Sequence, residues 1–234
     1  QTPGDARRIA QLGAGNVSVC GNLKFDVTPA PERIALGKTW RAALGGRPVW
    51  LAASTREGEE ALVLEAWRRI AASRALLVLV PRHPQRFAEV AALLTRLGID
   101  FVRRSDRLPG PETPVWLGDS MGEMAAYYSL ADIAFIGGSL LPLGGQNLIE
   151  AAACGCPVVV GPHTFNFQQA TADAIAAGAA LRVPDAEALV GTVCRALGDA
   201  SELGKMRAAA TGFAASHRGA GARTLALIRS AITG

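Results

Sequence analysis

Cysteine, histidine and long apolar runs are scarce in this sequence, and each scarcity excludes a class of protein. The four cysteines among the 234 residues form no C-x-x-C pair, and the three histidines lie far apart. This spacing excludes the common zinc and dithiol motifs and favours small core cysteines in a reducing compartment, so no metal or cofactor is expected. The longest purely apolar run has six residues, 75–80, whereas a membrane-spanning helix needs about 20. The sequence therefore predicts no membrane span.

Charged residues are also few, at 19% of the chain against about 25% in ordinary soluble domains. The net charge is +4, and the densest basic group is Arg103, Arg104 and Arg107. Because the other arginines are scattered, this group is predicted to be a solvated face, and no nucleic-acid partner is expected. Half of the residues are hydrophobic and the mean hydropathy is +0.22, which excludes a disordered chain.

The two parts of the chain differ in pattern. The first residues carry no initiator methionine and no apolar leader, which predicts that the sequence is cut from a longer protein. Residues 16–20 are predicted as a short strand, and a helix is predicted from Pro31 to Leu44. From about residue 47 onward, short apolar runs alternate with amphipathic helical stretches.

The apolar runs are continuous rather than alternating, which is typical of strands buried on both faces. This pattern indicates the α/β class, with a doubly wound, Rossmann-like parallel sheet. The predicted strands are 49–53, 76–80, 99–103, 115–118, 133–136, 158–160 and 181–183. The predicted helices among them are 57–73, 84–97, 186–197, 203–215 and 223–232.

Ligands of such sheets bind beyond the carboxyl ends of the strands, so the strand-end loops are the candidate site. After the first strand, Ser54 or Thr55 either caps the next helix or presents a hydroxyl to an anion. After the second, Pro81 and Pro84 stiffen a loop that presents Arg82 and His83. A guanidinium held in this way suits a phosphate.

Two further loops offer a base site and a phosphate site. The segment 118–124 is either a helix cap at Asp119 or Ser120, or a turn in which Gly122 lets the backbone approach a planar ring. The segment 137–145 contains two glycine pairs and opens into a helix, which by composition suits a phosphate. On that helix Asn147 and Glu150 share a face, so Glu150 either accepts hydrogen bonds from ribose hydroxyls or is a solvated glutamate beside a helix cap.

The last strand-end loop, 161–168, carries His163, Phe165 and Phe167. Aromatic side chains in a loop need a partner, so this loop either docks against the earlier loops or contacts substrate.

Seven of these segments occur in an order that resembles the C-terminal half of the 3-deoxy-D-manno-octulosonic acid (Kdo) transferases. They are 21–26, 53–60, 81–84, 118–123, 137–139, 145–150 and 161–167. Gln146 departs from the family pattern, in which a histidine is common. The resemblance implies the C-terminal domain of a GT-B glycosyltransferase, an enzyme that moves Kdo from CMP-Kdo to a lipid A precursor in lipopolysaccharide core biosynthesis. The implied parent enzyme lies at the cytoplasmic face of the inner membrane, inverts configuration and needs no metal, in keeping with the lack of a D-x-D motif.

The resemblance also divides the chain and assigns roles. Residues 1–25 would be the remnant of a preceding domain and 26–234 the CMP-Kdo-binding domain, soluble by itself. The acid/base glutamate, the acceptor surface and the membrane anchor would lie in the preceding domain, so this chain would hold no catalytic residue and be inactive alone. The resemblance implies that Gly138 and Ser139, beside Gly137, contact the phosphate, and that Arg82 and His83 line the nucleotide pocket. Cytosine would lie near Met121, Gly122 and Glu123, and the ribose and phosphate near Asn147 and Glu150. The Kdo group would lie near Ser54, Thr55 and Glu57. Two alternatives remain open: another GT-B enzyme that uses a UDP-sugar, and a non-catalytic nucleotide-binding module.

Overall fold

A single parallel sheet organises the computed structural model, which describes residues 2–69 and 74–233. Its seven strands run in the order β3-β4-β2-β1-β5-β6-β7, and every neighbouring pair is parallel. The strands are β1 Val49–Thr55, β2 Leu76–Pro81, β3 Phe101–Arg103, β4 Val115–Leu117, β5 Ile133–Ile136, β6 Val158–Val160 and β7 Ala180–Arg182. The prediction of a doubly wound α/β fold is confirmed, and all seven strands lie within two residues of their predicted bounds.

Helices cover both faces of the sheet and bury two apolar clusters, one on each side. The helices in the described ranges are α1 Pro3–Gln11, α2 Pro31–Ala43, α3 Glu59–Arg69, α4 Phe87–Arg96, α5 Met124–Leu130, α6 Ile149–Ala153, α7 Gln168–Ala176, α8 Ala186–Leu197, α9 Ala200–His217 and α10 Ala220–Thr233. None of these helices is both long and apolar enough to cross a membrane.

Some predicted elements differ from the structure. Residues 16–20 form no strand; at the end of this segment, Arg223 Nε on α10 donates to the carbonyl of Cys20 at 3.0 Å. The predicted helix 57–73 begins later, at Glu59, because Gly58 adopts a left-handed φ of 87° that ends the preceding turn. Its last four predicted residues, 70–73, lie outside the described residues.

The predicted division at residues 25 and 26 falls within a well-packed segment and stays a prediction. The ring of Phe25 lies 5.9 Å from that of His217, and the Asp26 carboxylate accepts from the N–H groups of Gly219 and Gly221 at 2.9 Å each. These two hydrogen bonds lower the pKa of Asp26.

At the amino edge of the sheet, Asp132 connects three elements. Its carboxylate accepts from Arg41 on α2 at 3.0 Å, from Arg207 on α9 at 2.8 Å and from the N–H of Val49 at the start of β1 at 2.9 Å. The cluster fixes the helices at the edge opposite to the strand-end loops.

The chain moves from β1 outward to β2 and later returns to the other side of β1 as β5. This reversal makes the β1–β5 boundary the topological switch point, where ligands of such sheets bind.

Candidate functional site

A cavity of about 340 Å³ lies at the carboxyl edge of the sheet beside this switch point and is within the size range of small-ligand sites. It is lined by the ends of β1 and β2, the loop after β4, α6 and the segment 27–33 that leads into α2. Five predicted site residues come together on its wall: Ser54, Arg82, Met121, Gly122 and Glu150.

Ser54 enters the cavity through a strained turn. Its φ of 54° is the one positive value of a non-glycine residue in the described ranges, and the β1–β2 register shifts between Ala53 and Thr55. A Cβ on Gly137 would lie 2.4 Å from the Ser54 carbonyl oxygen. Gly137 is therefore required by the close approach of the β1 turn, and strain of this kind is common at functional sites.

Arg82 and Glu150 mark the end of the cavity next to β1. The backbone N–H of Arg82 donates to the Thr55 carbonyl at 3.0 Å, which fixes the loop, while its side chain is exposed. Burial raises the pKa of Glu150, and the positive charge of Arg82 opposes that rise. Asn147 lies just before α6, and its Oδ1 accepts from the N–H of Ile149, the first residue of that helix, at 3.0 Å.

The loop after β4 presents Met121 and Gly122 but turns Glu123 away. Met121 is 59% exposed, and Gly122 has a φ of 74°. Glu123 does not line the cavity. Its carboxylate instead accepts from Arg104 at 3.2 Å and from Ser120 at 2.5 Å, and it lies 3.6 Å from Arg33.

The predicted phosphate ligands Gly138 and Ser139 are bonded within the chain. The Gly138 N–H donates to Glu59 Oε2 at 2.6 Å, and the Leu140 N–H donates to Glu59 Oε1 at 3.0 Å. The Ser139 hydroxyl donates to the Ile136 carbonyl at 2.5 Å and accepts from the Gly161 N–H at 2.8 Å. A buried carboxylate thus occupies the backbone donors that composition assigned to a phosphate.

Glu59 is a residue of this loop system that the sequence analysis missed. Its carboxylate is buried with three backbone N–H partners, the third being that of Arg56 at 2.9 Å, and this arrangement depends on two loops that are distant in sequence. The sequence signal for this role was only the acidic side chain of Glu59 directly after Gly58.

Three other predicted residues lie apart from the cavity wall. Thr55 is fully buried, and its hydroxyl donates to Glu60 Oε1 at 2.9 Å. Burial raises the pKa of Glu60, whose other oxygen lies 3.4 Å from Arg86. Glu57 and His83 are exposed and do not line the cavity.

The loop 161–168 docks on the glycine-rich loop. The His163 N–H donates to the Ser139 carbonyl at 2.9 Å, and the Asn166 N–H donates to the Gly144 carbonyl at 3.0 Å. Docking, one of the two alternatives open from the sequence, is thereby confirmed. Phe165 remains 61% exposed at this edge, so its contact with substrate stays a prediction.

Within residues 2–69 and 74–233, no three histidine, cysteine, aspartate or glutamate side chains come together as a metal site. A doubly wound parallel sheet with an arginine-bearing cavity beside its switch point defines a Rossmann-like domain, a fold in which ligands commonly bind at that point. HepE from Anabaena, solved with UDP and glucose, shares this fold with a TM-score of 0.58 and 14% identity over 91% of this chain and 55% of that chain.

Two closer relatives define the family. The solved C-terminal CMP-Kdo binding domain of WaaA from Acinetobacter baumannii is 34% identical, with a TM-score of 0.72 over 82% of this chain and 98% of that one. The 3-deoxy-D-manno-octulosonic acid transferase of Bordetella pertussis is 50% identical over 96% of this chain. The chain therefore belongs to the Kdo transferase family and has the α/β fold of a GT-B C-terminal domain. It spans about half the length of the curated relatives it matches, and no family model matches it.

Proposed function

We propose that this chain binds the nucleotide-sugar donor CMP-Kdo for a Kdo transferase. The observation that carries the proposal is the near-complete match to a solved CMP-Kdo binding domain, together with a cavity at the switch point that holds Arg82 and Glu150. The cavity is open to solvent at the strand ends, where the donor would enter.

The chemistry of the cavity suits a leaving nucleotide. When the bond between the Kdo anomeric carbon and the phosphate oxygen breaks, the electron pair stays on CMP, and negative charge grows on the phosphate. The guanidinium of Arg82, which its loop places at the cavity, stabilises that charge. The Glu150 carboxylate, on the helix after the glycine-rich loop, accepts hydrogen bonds from the ribose hydroxyls.

In this proposal Gly138 and Ser139 act differently from the sequence expectation. Their polar groups hold the loop in place through Glu59, Ile136 and Gly161. Ser54 remains beside the donor, whereas Asn147 acts through the start of the helix that carries Glu150. His83, Glu57 and Thr55 contribute at most to the shape of the surrounding loops.

The complete reaction needs groups beyond this chain. We propose a lipid A precursor as acceptor and a metal-independent, inverting attack by its hydroxyl at the cytoplasmic face of the inner membrane. The acid/base glutamate belongs to the part of the longer relatives that this chain does not span. On its own the chain would bind the donor without transferring Kdo.

Calorimetric titration of the folded chain with CMP tests the proposal. We expect saturable heat, and we expect UDP to displace CMP poorly in competition. Absence of binding at millimolar CMP would contradict the proposal, and tighter binding of UDP would favour a UDP-sugar enzyme of the same fold. A cooperative thermal unfolding curve, recorded before the titration, is the control that the protein is folded.

A further inference from the structure

The cavity contains a second arginine that the sequence analysis did not single out. Arg33, on the first turn of α2, lines the same cavity as Arg82, and its guanidinium lies 3.6 Å from Glu123 Oε1. Its side chain is 41% exposed, so this partner is what restrains it beside the loop that carries Met121 and Gly122.

The two arginines contact different neighbours around the cavity. Arg82 follows β2 and acts electrostatically on Glu150, next to the switch point. Arg33 is paired to the loop that follows β4, on the far side of β2. Because phosphates of bound nucleotides lie at the switch point of such sheets, a nucleotide with its phosphate at Arg82 extends its base towards Arg33.

A guanidinium distinguishes the two common pyrimidines because it carries only donors, arranged as a planar fork. Cytosine presents two adjacent acceptors, N3 and O2, to such a fork. Uracil presents O2 beside an N3–H donor, which would face the guanidinium donors unpaired. A buried or half-buried donor left without an acceptor weakens binding.

We propose that Arg33 donates to N3 and O2 of the base and selects cytosine over uracil, with Glu123 as the residue that positions its guanidinium. The inference rests on the proposed function, because it presumes that the cavity holds a pyrimidine nucleotide. It adds a specificity-determining residue from the segment before β1, which the family resemblance had not assigned.

Titration of CMP and UMP against four proteins tests the inference: the unaltered chain, Arg33→Ala, Arg33→Lys and Lys38→Ala. We expect the unaltered chain to prefer CMP, and Arg33→Ala to lose about tenfold or more in CMP affinity with little change for UMP. Arg33→Lys keeps the charge without the fork, so its preference should fall as well. Lys38→Ala removes an exposed cation of α2 that does not line the cavity, so this control variant should keep the preference for CMP.

The outcomes separate this inference from the proposed function. If Arg33→Ala keeps the preference of the unaltered chain, or weakens CMP and UMP equally, the selective role of Arg33 is wrong while donor binding stands. If the unaltered chain binds no CMP, the proposed function fails. Thermal unfolding of each variant shows that a loss of affinity is not a loss of fold.

Discussion

Arg33 and Arg82 line the cavity, and a glutamate lies near each of them, Glu123 beside Arg33 and Glu150 within the electrostatic reach of Arg82. The surroundings of each carboxylate set its role. The Glu123 carboxylate is held by Ser120, Arg33 and Arg104, so it acts on the cavity through Arg33. Glu150 lies on the cavity wall, where burial opposes its ionisation. One glutamate thus positions a cation, and the other is placed to meet a ligand.

Substitution of Arg82 tests the phosphate end of the cavity. Arg82→Ala should weaken CMP binding by about 1.5–3 kcal/mol, because it removes a charge-assisted hydrogen bond. Calorimetry measures the change, and Arg96→Ala, an exposed arginine on the neighbouring α4, is the matched control. Equal CMP affinity in Arg82→Ala and the unaltered chain would place Arg82 outside the site.

Glu150→Gln should separate stability from binding. Because burial raises the pKa of Glu150 above its ordinary value of 4.5, the unfolded chain releases this proton at a lower pH than the folded chain. Stability therefore falls as the pH rises from the unfolded pKa to the folded pKa, and that cost persists above it. A glutamine carries no such cost, so the variant should gain stability relative to the unaltered chain over this pH range.

Thermal unfolding against pH measures the difference between the two proteins, and calorimetry should show weaker CMP binding by Glu150→Gln at neutral pH. A variant that unfolds more easily than the unaltered chain at neutral pH would mark Glu150 as a structural residue instead.

At the residue scale, the sequence predicted the location of the site better than the contacts within it. Arg82 and Glu150 were predictable because each follows a recognisable strand, and parallel strands end at one edge. The outward turn of Glu123 and the burial of Glu59 were not, because each depends on partners, Arg33, Arg104 and Gly138, that are distant in sequence.

At the scale of elements, the glycine-rich loop after β5 is held from three sides. Glu59 at the start of α3 binds its backbone N–H groups, the loop 161–168 docks on it, and the β1 turn packs against Gly137. Strands were predicted well because their apolar runs are continuous, whereas α5 and α7 were missed. Helix α5 has only seven residues, too few to show a clear helical period. In α7, polar residues such as Gln168 and Thr171 obscure the period.

Gly137→Ala tests the contact between two of these elements. The added Cβ would lie 2.4 Å from the Ser54 carbonyl oxygen and 2.6 Å from the Thr55 Cα, so the β1 turn must move. We expect a stability loss of about 1–3 kcal/mol, as for overpacked cores, together with weaker CMP binding because Ser54 leaves the cavity wall.

Gly204→Ala is the control for this substitution, since nothing lies within 4 Å of its Cβ position on α9. That variant should gain about 0.5–1 kcal/mol from reduced chain entropy and better helix propensity. Urea unfolding measures the change in stability of both variants. If Gly137→Ala matched Gly204→Ala in stability and CMP affinity, the inference that the β1 turn packs closely against Gly137 would be wrong.

At the scale of the whole molecule, the two edges of the sheet divide stability and ligand chemistry. The carboxyl edge holds the cavity and the strained Ser54, while the amino edge holds the Asp132 cluster that joins α2, α9 and β1. α2 connects the two, because Arg33 in its first turn lines the cavity and Arg41 in its last turn binds Asp132.

Asp132→Ala tests whether these edges are independent. The substitution leaves the buried N–H of Val49 without its acceptor, which costs about 1–3 kcal/mol, while Arg41 and Arg207 can recover water because their side chains are 31% and 42% exposed. We expect lower stability in urea and unchanged CMP affinity under conditions where the variant is folded, with Asp100→Ala, an exposed aspartate, as the control. If the variant also lost CMP affinity, the loss of the Asp132 contacts at the amino edge would instead be shown to act through α2 on Arg33.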